Sequence, residues 1–497
     1  MSQSAMSAGS LLPGLTDDQQ RQRLRQAVLA GPGASVDVGG GEGGGVLGLL
    51  AGTDVIAAAL TRCGHVDRRR RVLTGAVTVM VVLGLCLFRR EGYDAVLARI
   101  MTVLPGAVAP TDPPPTGAAL SQARTRVAAD LFREVFESTA GVEQYPDLPG
   151  AMVFGLLATA FDGTVIDLPA TAAIEAEFAT PCGGRFPQAR LVTLVACGTR
   201  RVLAAALDSS AVSEQALVEG LAGALRPDTL NLADRNFFSM ARWVAFAATG
   251  AHLAWRVKNG AKSLPAKVIE ILPDGSHRVR LRESDAMLSA RRRAAGDPSL
   301  ARLPDTIARL VEFTLTVTDT HDTAHTRTSR FRILTTLLDH TIYPAREIAQ
   351  AYAQRWQAEV AYLRIKVTLR GAGTRLRGQT PELARQEIWG LLIVYNALCD
   401  LATRVAVSVG ADPDAISFTA VLTLTRAHLG ASAPCRNCGH QPTSALDALT
   451  AAIAAHPRDR TGRQRTGPRV SAQQRTQHTR DVNYTINIAE SNLPKVE

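Results

Sequence analysis

Apolar positions change their period twice along the chain, and the changes divide it. From about residue 51 to 104 they recur at helical spacing. The stretch "LPGAVAPTDPPPTGA" then breaks the pattern, and "SQARTRVAADLFREVFESTA" resumes it, which predicts an all-α unit over 51–145 with one proline-rich connection. From about residue 152 the pattern turns mixed: "GTVIDLPA", "ARLVTLVACGTRRVLAAALD", "DTLNLAD" and "HLAWRVK" read as strands, and "SEQALVEGLAGAL" and "SMARWVAFAATG" as helices. Between about 260 and 330, "AKVIEI", "HRVRLRE" and "RLVEFTLTVTDT" alternate as further strands, separated by "PDGS" and the basic stretch "SARRRAAGDPS". "FRILTTLLD" then returns to the core as a strand and leads into a long helical segment, with packing helices beyond it in "PELARQEIWGLLIVYNALCDLATRVAV" and "FTAVLTLTRAHL".

The domain reading is therefore a flexible segment over 1–50 containing "GGGEGGG", the helical domain over 51–145, and an α/β core over 152–259 and 331–371. A β-rich insertion over 260–330 interrupts that core, a helical region covers 372–457, and a basic tail covers 458–497. Residues 458–480 hold seven Arg and no Lys.

A chain of 497 residues with 46% hydrophobic content has room for several sizeable cores. Its 55 Lys and Arg against 45 Asp and Glu make nucleic acid the first partner to consider, although arginine-rich coding bias would produce the same balance. Seven cysteines, at 63, 86, 182, 197, 399, 435 and 438, form no disulfide framework, and no signal-peptide pattern opens the chain, so a reducing cytoplasm is expected. The uncharged run "VLTGAVTVMVVLGLCLF" falls short of a span of about 20 residues and reads as a buried helix, so no membrane partner is expected. "CRNC", with Cys435 and Cys438 flanked by His428 and His440, has the donor types of a loose zinc site.

The chemistry concentrates in "AYAQRWQAEVAYLRIK", residues 351–366. At about 100° per residue, Tyr352, Arg355, Glu359, Tyr362 and Lys366 share one face. Ala353, Trp356, Val360, Leu363 and Val367 form a neighbouring apolar row, expected to pack on the core. On its own the arrangement justifies little more than an Arg355–Glu359 ion pair at i, i+4. Two further carboxylates alter that reading. Asp162, in "AFDGT", is placed just before a strand, and Asp234, in "LNLADRNF", is placed where a strand runs into a loop. Two acids at sheet edges and a third on a later helix meet the needs of two-metal phosphoryl transfer, because hard Mg²⁺ ions take oxygen ligands and need no covalent enzyme intermediate.

Tyr352, Arg355, Glu359 and Lys366, spaced as Tyr, two residues, Arg, three residues, Glu, six residues, Lys, resemble the signature of the insertion-sequence-4 group of DDE transposases. "DGT" at 162–164 and Asp234, Arg235 and Phe237 resemble the first- and second-acid motifs of the same family, and the likeness extends over most of residues 50–400. The resemblance implies a ribonuclease-H-like catalytic core interrupted by the β insertion, with an N-terminal DNA-binding domain. It implies that Asp162, Asp234 and Glu359 hold two Mg²⁺ ions, with Mn²⁺ as a substitute, and that Tyr352, Arg355, Lys366 and Arg235 contact DNA. It further implies double-stranded DNA partners, namely terminal inverted repeats and target DNA, with a homodimer in the synaptic complex and cut-and-paste movement. Asp167 is the competing first acid, set aside because it is read as lying inside the strand and without the motif. No Trp lies between Trp255 and Trp356, so the tryptophan that some relatives stack on an extruded base has no counterpart there, and Phe313 is left as a substitute to consider. Two other readings stay open: a catalytically inactive DNA-binding protein and a nuclease on the same fold.

Overall fold

The computed structural model describes residues 48, 50–65, 67, 71–103, 115–140, 148, 151–260, 264–319, 326–429, 445–457, 482–489, 491 and 493. Among the described residues five helices come first: α1 (Thr53–Arg62), α2 (Gly75–Leu87), α3 (Tyr93–Val103), α4 (Gly117–Thr125) and α5 (Ala129–Ala140). Helix α2 lies within the uncharged run, and 11 of its 13 residues are buried within the protein. It packs against α12 (Pro381–Ser408), where a Cβ on Gly390 would stand 3.0 Å from the Cys86 sulfur, so the glycine sets the closeness of the two helices. Although α12 is long and apolar enough to cross a membrane, it is mostly buried inside the fold.

The remaining elements build one sheet and its cover. In chain order they are β1 (Met152–Val153), β2 (Leu156–Asp167), α6 (Ala172–Glu175), β3 (Gln188–Ala196), β4 (Val202–Ser209), α7 (Glu214–Glu219), β5 (Thr229–Ala233), α8 (Met240–Ala247) and β6 (His252–Arg256). Then come β7 (Ala266–Ile271), β8 (His277–Leu281), α9 (Asp285–Ala295), β9 (Thr306–Asp319), β10 (Thr326–Thr335), α10 (Ala345–Tyr352), α11 (Trp356–Leu363), α12, α13 (Phe418–His428), α14 (Ala445–Ala454) and β11 (Val482–Ile488). The strand order is β4-β3-β2-β5-β6-β10-β9-β8-β7, with β1 on β2 and β11 on β9. Strands β2, β3 and β4 are antiparallel neighbours, while β5 and β6 run parallel to β2. That five-stranded arrangement, three antiparallel strands followed by two parallel ones, is the ribonuclease-H-like core. Strands β10, β9, β8 and β7 extend it as an antiparallel meander, so the insertion is continuous with the core sheet.

Both faces of the core are covered. Along β3, Ala189, Leu191 and Val195 join the helical layer with α2 and α12, whereas Val192 and Leu194 join the opposite layer around Trp243, Phe246 and Trp255. Two-sided burial explains why these strands read as near-continuous apolar runs. The N-terminal helices share the first of these layers with the sheet. A buried Arg89–Glu387 ion pair adds a polar bolt, and the second oxygen of Glu387 accepts the amides of Arg377 (2.7 Å) and Gly378 (2.9 Å).

Several sequence expectations change. The basic stretch in the insertion is not a loop: its arginines lie on α9, capped by the Ser284 hydroxyl and closed by left-handed Gly296. The expected helix "SEQALVEGLAGAL" is shorter, with α7 ending at Glu219 and a 3₁₀ turn over Ala222–Ala224. Part of the expected basic tail is a strand, since β11 pairs along β9 from Asp319 to Phe313. The segment "VNYTINI" alternates polar and apolar residues, as an edge strand with one covered side does. Cys435, Cys438 and His440 lie outside the described residues, and the His428 Nδ1 is 2.9 Å from the Leu424 carbonyl oxygen. Phe313 is buried and stacked on Phe331 with centroids 5.2 Å apart, which makes it a core ring.

Candidate active site

Asp162 lies inside β2, with Thr193 of β3 as its register partner; Asp167, not Asp162, is at the strand end. The two positions are thus the reverse of the sequence expectation. β2 starts earlier than the motif indicated, because "LLATAF" supplies a buried run ahead of the acid. Asp234 directly follows β5. The β2–β5 pairing runs as far as Ala160 with Leu232, and Asp162 and Asp234 each come two residues later, which by strand alternation puts both toward the face of Ala160 and Leu232. That face is the helical layer, where α11 packs.

The segment carrying the third acid is a composite helix. Helix α10 tightens into a 3₁₀ turn at Ala353–Arg355, relaxes into α11, and widens into a π-helical stretch over Arg364–Leu369. Such departures concentrate at functional sites. Its packing face also differs from the expected one. Ala358, Ala361, Tyr362, Ile365 and Leu369 are buried, while Leu363 is 57% and Val367 46% exposed. Ala358 and Ala361 join the same layer as Ala158 and Ala160 of β2, where small side chains let helix and sheet approach, and Tyr362 is buried beside them. Leu363 and Val367 of the bulky apolar row are displaced to the outside, and Trp356 and Val360 are half-buried.

The polar row is therefore anchored inward. Tyr352 is buried and its hydroxyl donates to the Ala233 carbonyl at 3.2 Å, next to Asp234. The Tyr362 hydroxyl donates to the Asp162 carbonyl at 2.6 Å and lies 2.8 Å from the Thr193 hydroxyl. The Lys366 ammonium donates to the Thr164 hydroxyl at 3.1 Å and the Val165 carbonyl at 2.9 Å. These bonds hold Tyr352 and Lys366 against the strands. Arg355 pairs with Glu359 at 3.1 Å, the i, i+4 ion pair. Arg235 is exposed, and its backbone amide donates to the Asp234 carboxylate at 2.8 Å.

Electrostatics ties the acids together. Burial raises Asp162 to about 7; Arg355 opposes the rise, and the like charges of Glu359 and Glu214 add to it. Burial acts against the charge of Arg355, but Tyr352, Asp162, Asp234 and Glu359 together hold it above the ordinary guanidinium range. One guanidinium thus stands within electrostatic reach of all three candidate acids. Among the described residues no three His, Cys, Asp or Glu side chains form a tight metal cage. The donor set nonetheless fits a hard divalent cation, being three carboxylates and no nitrogen or sulfur.

Two residues at the site carry no motif signal. Arg256 lies 3.7 Å from the Asp234 carboxylate and over the Phe331 ring at 4.4 Å. Glu214 opens α7 above Gly163, where an added Cβ would meet its carboxylate at 2.6 Å; that carboxylate also accepts from Asn236 at 3.0 Å, in the loop after Asp234. The glycine of "DGT" is therefore space kept for Glu214. Nothing in the sequence pairs positions 51 residues apart in this way.

An α/β core with acids on the first strand, at the end of its parallel neighbour and on a later helix defines the DDE class of ribonuclease-H-like enzymes. Residues 45–137 match the insertion element 4 transposase N-terminal family, and residues 154–397 match the transposase DDE domain. The chain is 30% identical over 361 residues to the Escherichia coli (strain K12) transposase InsG for insertion sequence element IS4, covering 70% of this chain and 74% of that protein. The piggyBac transposase synaptic complex with hairpin DNA aligns over 84% of this chain and 86% of that one, at 9% identity and a TM-score of 0.43. The chain belongs to the IS4 family of DDE transposases.

Proposed function

We propose that this transposase binds the terminal inverted repeats of an insertion sequence as a dimer, cleaves the DNA ends, and joins the freed 3′-hydroxyls to target DNA by cut-and-paste movement. Asp162, Asp234 and Glu359 are the acids that would hold Mg²⁺, with Mn²⁺ as a substitute. A bound pair of such ions would activate the attacking oxygen and stabilise the leaving one. The observation that carries the reading is the grouping of the three acids around Arg355 on one face of the core sheet. Arg355 balances their charge in the free protein and has the geometry to grip a phosphate bidentately once it leaves Glu359. Arg235 and Lys366 flank the acids as backbone contacts, from the Asp234 loop and from beside β2 respectively. Tyr352 acts by holding the helix to the end of β5.

The substitution Glu359→Gln keeps the shape and removes one carboxylate charge. It is expected to abolish cleavage of end-containing DNA in Mg²⁺ while leaving binding to that DNA intact. Cleavage at the wild-type rate would overturn the assignment. Equal cutting of end-containing and random duplexes by the wild type would favour a nuclease instead.

A further inference from the structure

Helix α10, which leads into the segment of the third acid, starts without a cap of its own. Helices α7, α8, α9, α12 and α13 each begin on a serine or threonine whose hydroxyl accepts an amide of the first turn, at Ser213, Ser239, Ser284, Thr380 and Ser417. At the matching position α10 has Pro344, whose ring can accept nothing. The acceptor comes instead from 71 residues earlier, in the turn between β7 and β8 of the insertion: the Asp274 carboxylate accepts the Ala345 amide at 2.8 Å. A negative charge there also suits the positive end of the helix dipole. The carboxylate is held on every side. One oxygen accepts the Ser276 amide at 3.1 Å and the Ser276 hydroxyl at 2.6 Å, and the other pairs with Arg309, a fully buried side chain on β9. Arg309 in turn donates to the Ser276 hydroxyl at 2.8 Å and to the Tyr343 carbonyl at 2.6 Å, immediately before Pro344. The turn and the start of α10 are thus tied by one network.

We propose that Asp274, held by Arg309, is a positioning residue for the third acid: the insertion caps the helical segment that carries Glu359 and so sets where that carboxylate stands. This rests on the transposase reading above and gives the β7–β8 turn a task in cleavage that needs no contact with DNA. Two points fix the axis of α10, the Ala345 amide on Asp274 at its start and the Tyr352 hydroxyl on the Ala233 carbonyl at its end. Glu359 lies 14 residues past Ala345, about 20 Å along helical backbone. At that reach a tilt of about 3° displaces a side chain by about 1 Å, and a misplacement of that size costs on the order of a hundredfold in rate. With Tyr352 still anchored, loss of the cap alone should cost part of that.

The test uses the full chain, a duplex carrying the element end, and hydrogen exchange across α10. Asp274→Ala combined with Arg309→Met removes a buried charge together with its partner, so the insertion keeps its fold while the Ala345 amide loses its acceptor. Amides from Ala349 to Tyr352 should exchange about fivefold faster, and cleavage in Mg²⁺ should slow about tenfold. Adding Pro344→Ser gives α10 a hydroxyl cap and should return most of the protection and most of the rate; in the wild type the same change should alter either by no more than about twofold. A residue that only supports the insertion would not be rescued from position 344. Asp274→Asn keeps the shape of the turn, weakens the acceptor, and should shift both readouts the same way by a smaller amount, so it decides the matter if the paired variant unfolds. Wild-type protection and rate in these variants, or a loss that Pro344→Ser leaves untouched, would overturn the inference alone. If the wild type does not cut end DNA at all, the transposase reading fails and the positioning role falls with it.

Discussion

Replacing Asp162 by Asn should stabilise the metal-free protein above neutral pH while destroying its chemistry. Burial inside β2 and the nearby Glu359 and Glu214 lift the Asp162 carboxyl from its ordinary 3.8 to about 7, against the pull of Arg355. An acid raised on folding binds its proton more tightly in the native state. Its contribution to stability is therefore undiminished below about pH 4 and is lost as pH rises toward 7, after which the penalty is constant. At about 1.36 kcal/mol per decade, the difference between 3.8 and about 7 sets a ceiling of about 4 kcal/mol. An amide also needs partners in that recess, so about 2 kcal/mol of net gain is expected for Asp162→Asn. The assay is urea unfolding of both proteins at pH 5 and pH 8 in chelator, then again with Mg²⁺. The variant should gain on the wild type between pH 5 and 8, and Mg²⁺ should restore stability to the wild type more than to the variant. Parallel behaviour of the two proteins at both pH values would refute the reasoning.

Glu387→Gln leaves Arg89 buried without its counter-charge and should cost about 3–5 kcal/mol in chemical denaturation, an effect on stability far from the acids. Tyr352→Phe removes the hydroxyl bond to Ala233 and should lower stability by about 1 kcal/mol, with a larger fall in the cleavage rate because the β5 end carries Asp234. Gly163→Ala would push its new methyl group into Glu214 and break the Glu214–Asn236 bond; end cleavage should drop several-fold, and the second change Glu214→Ala should restore much of it in the same assay.

How much of this was legible in the sequence depended on range. The strand pattern of the core and the order of its elements followed from apolar runs and their punctuation, and the IS4 likeness followed from four spaced residues on one helix. What periodicity missed was set by contacts across the fold. A uniform 100° per residue placed the bulky row of Trp356, Val360, Leu363 and Val367 on the core, whereas the small Ala358 and Ala361 are what fit beneath β2. The extent of β2 differs because a carboxylate in the middle of a strand is disfavoured unless other groups hold it there, and those groups come from positions as distant as Arg355 and Tyr362. β11 was hidden because its partner, β9, lies more than 160 residues earlier in the chain.

The structure also gives the offsets in the helical signature a physical cause. Tyr352 reaches the end of β5, Tyr362 reaches the backbone at Asp162, and Lys366 reaches Thr164 and Val165 further along β2. Each bond is made to the strand bearing the first acid or to the strand preceding the second. The 3₁₀ turn after Tyr352 and the π-helical stretch after Leu363 adjust the rotation between these anchors. A regular helix of the same length, at 3.6 residues per turn, would place Lys366 at a different angle to β2. The spacing of Tyr, Glu and Lys is therefore a record of where one segment is tied so that Glu359 stands within electrostatic reach of Asp162. It follows that inserting one residue between Glu359 and Lys366 should cost more activity than replacing Lys366 by Ala, since the insertion moves an anchor and the substitution only removes one.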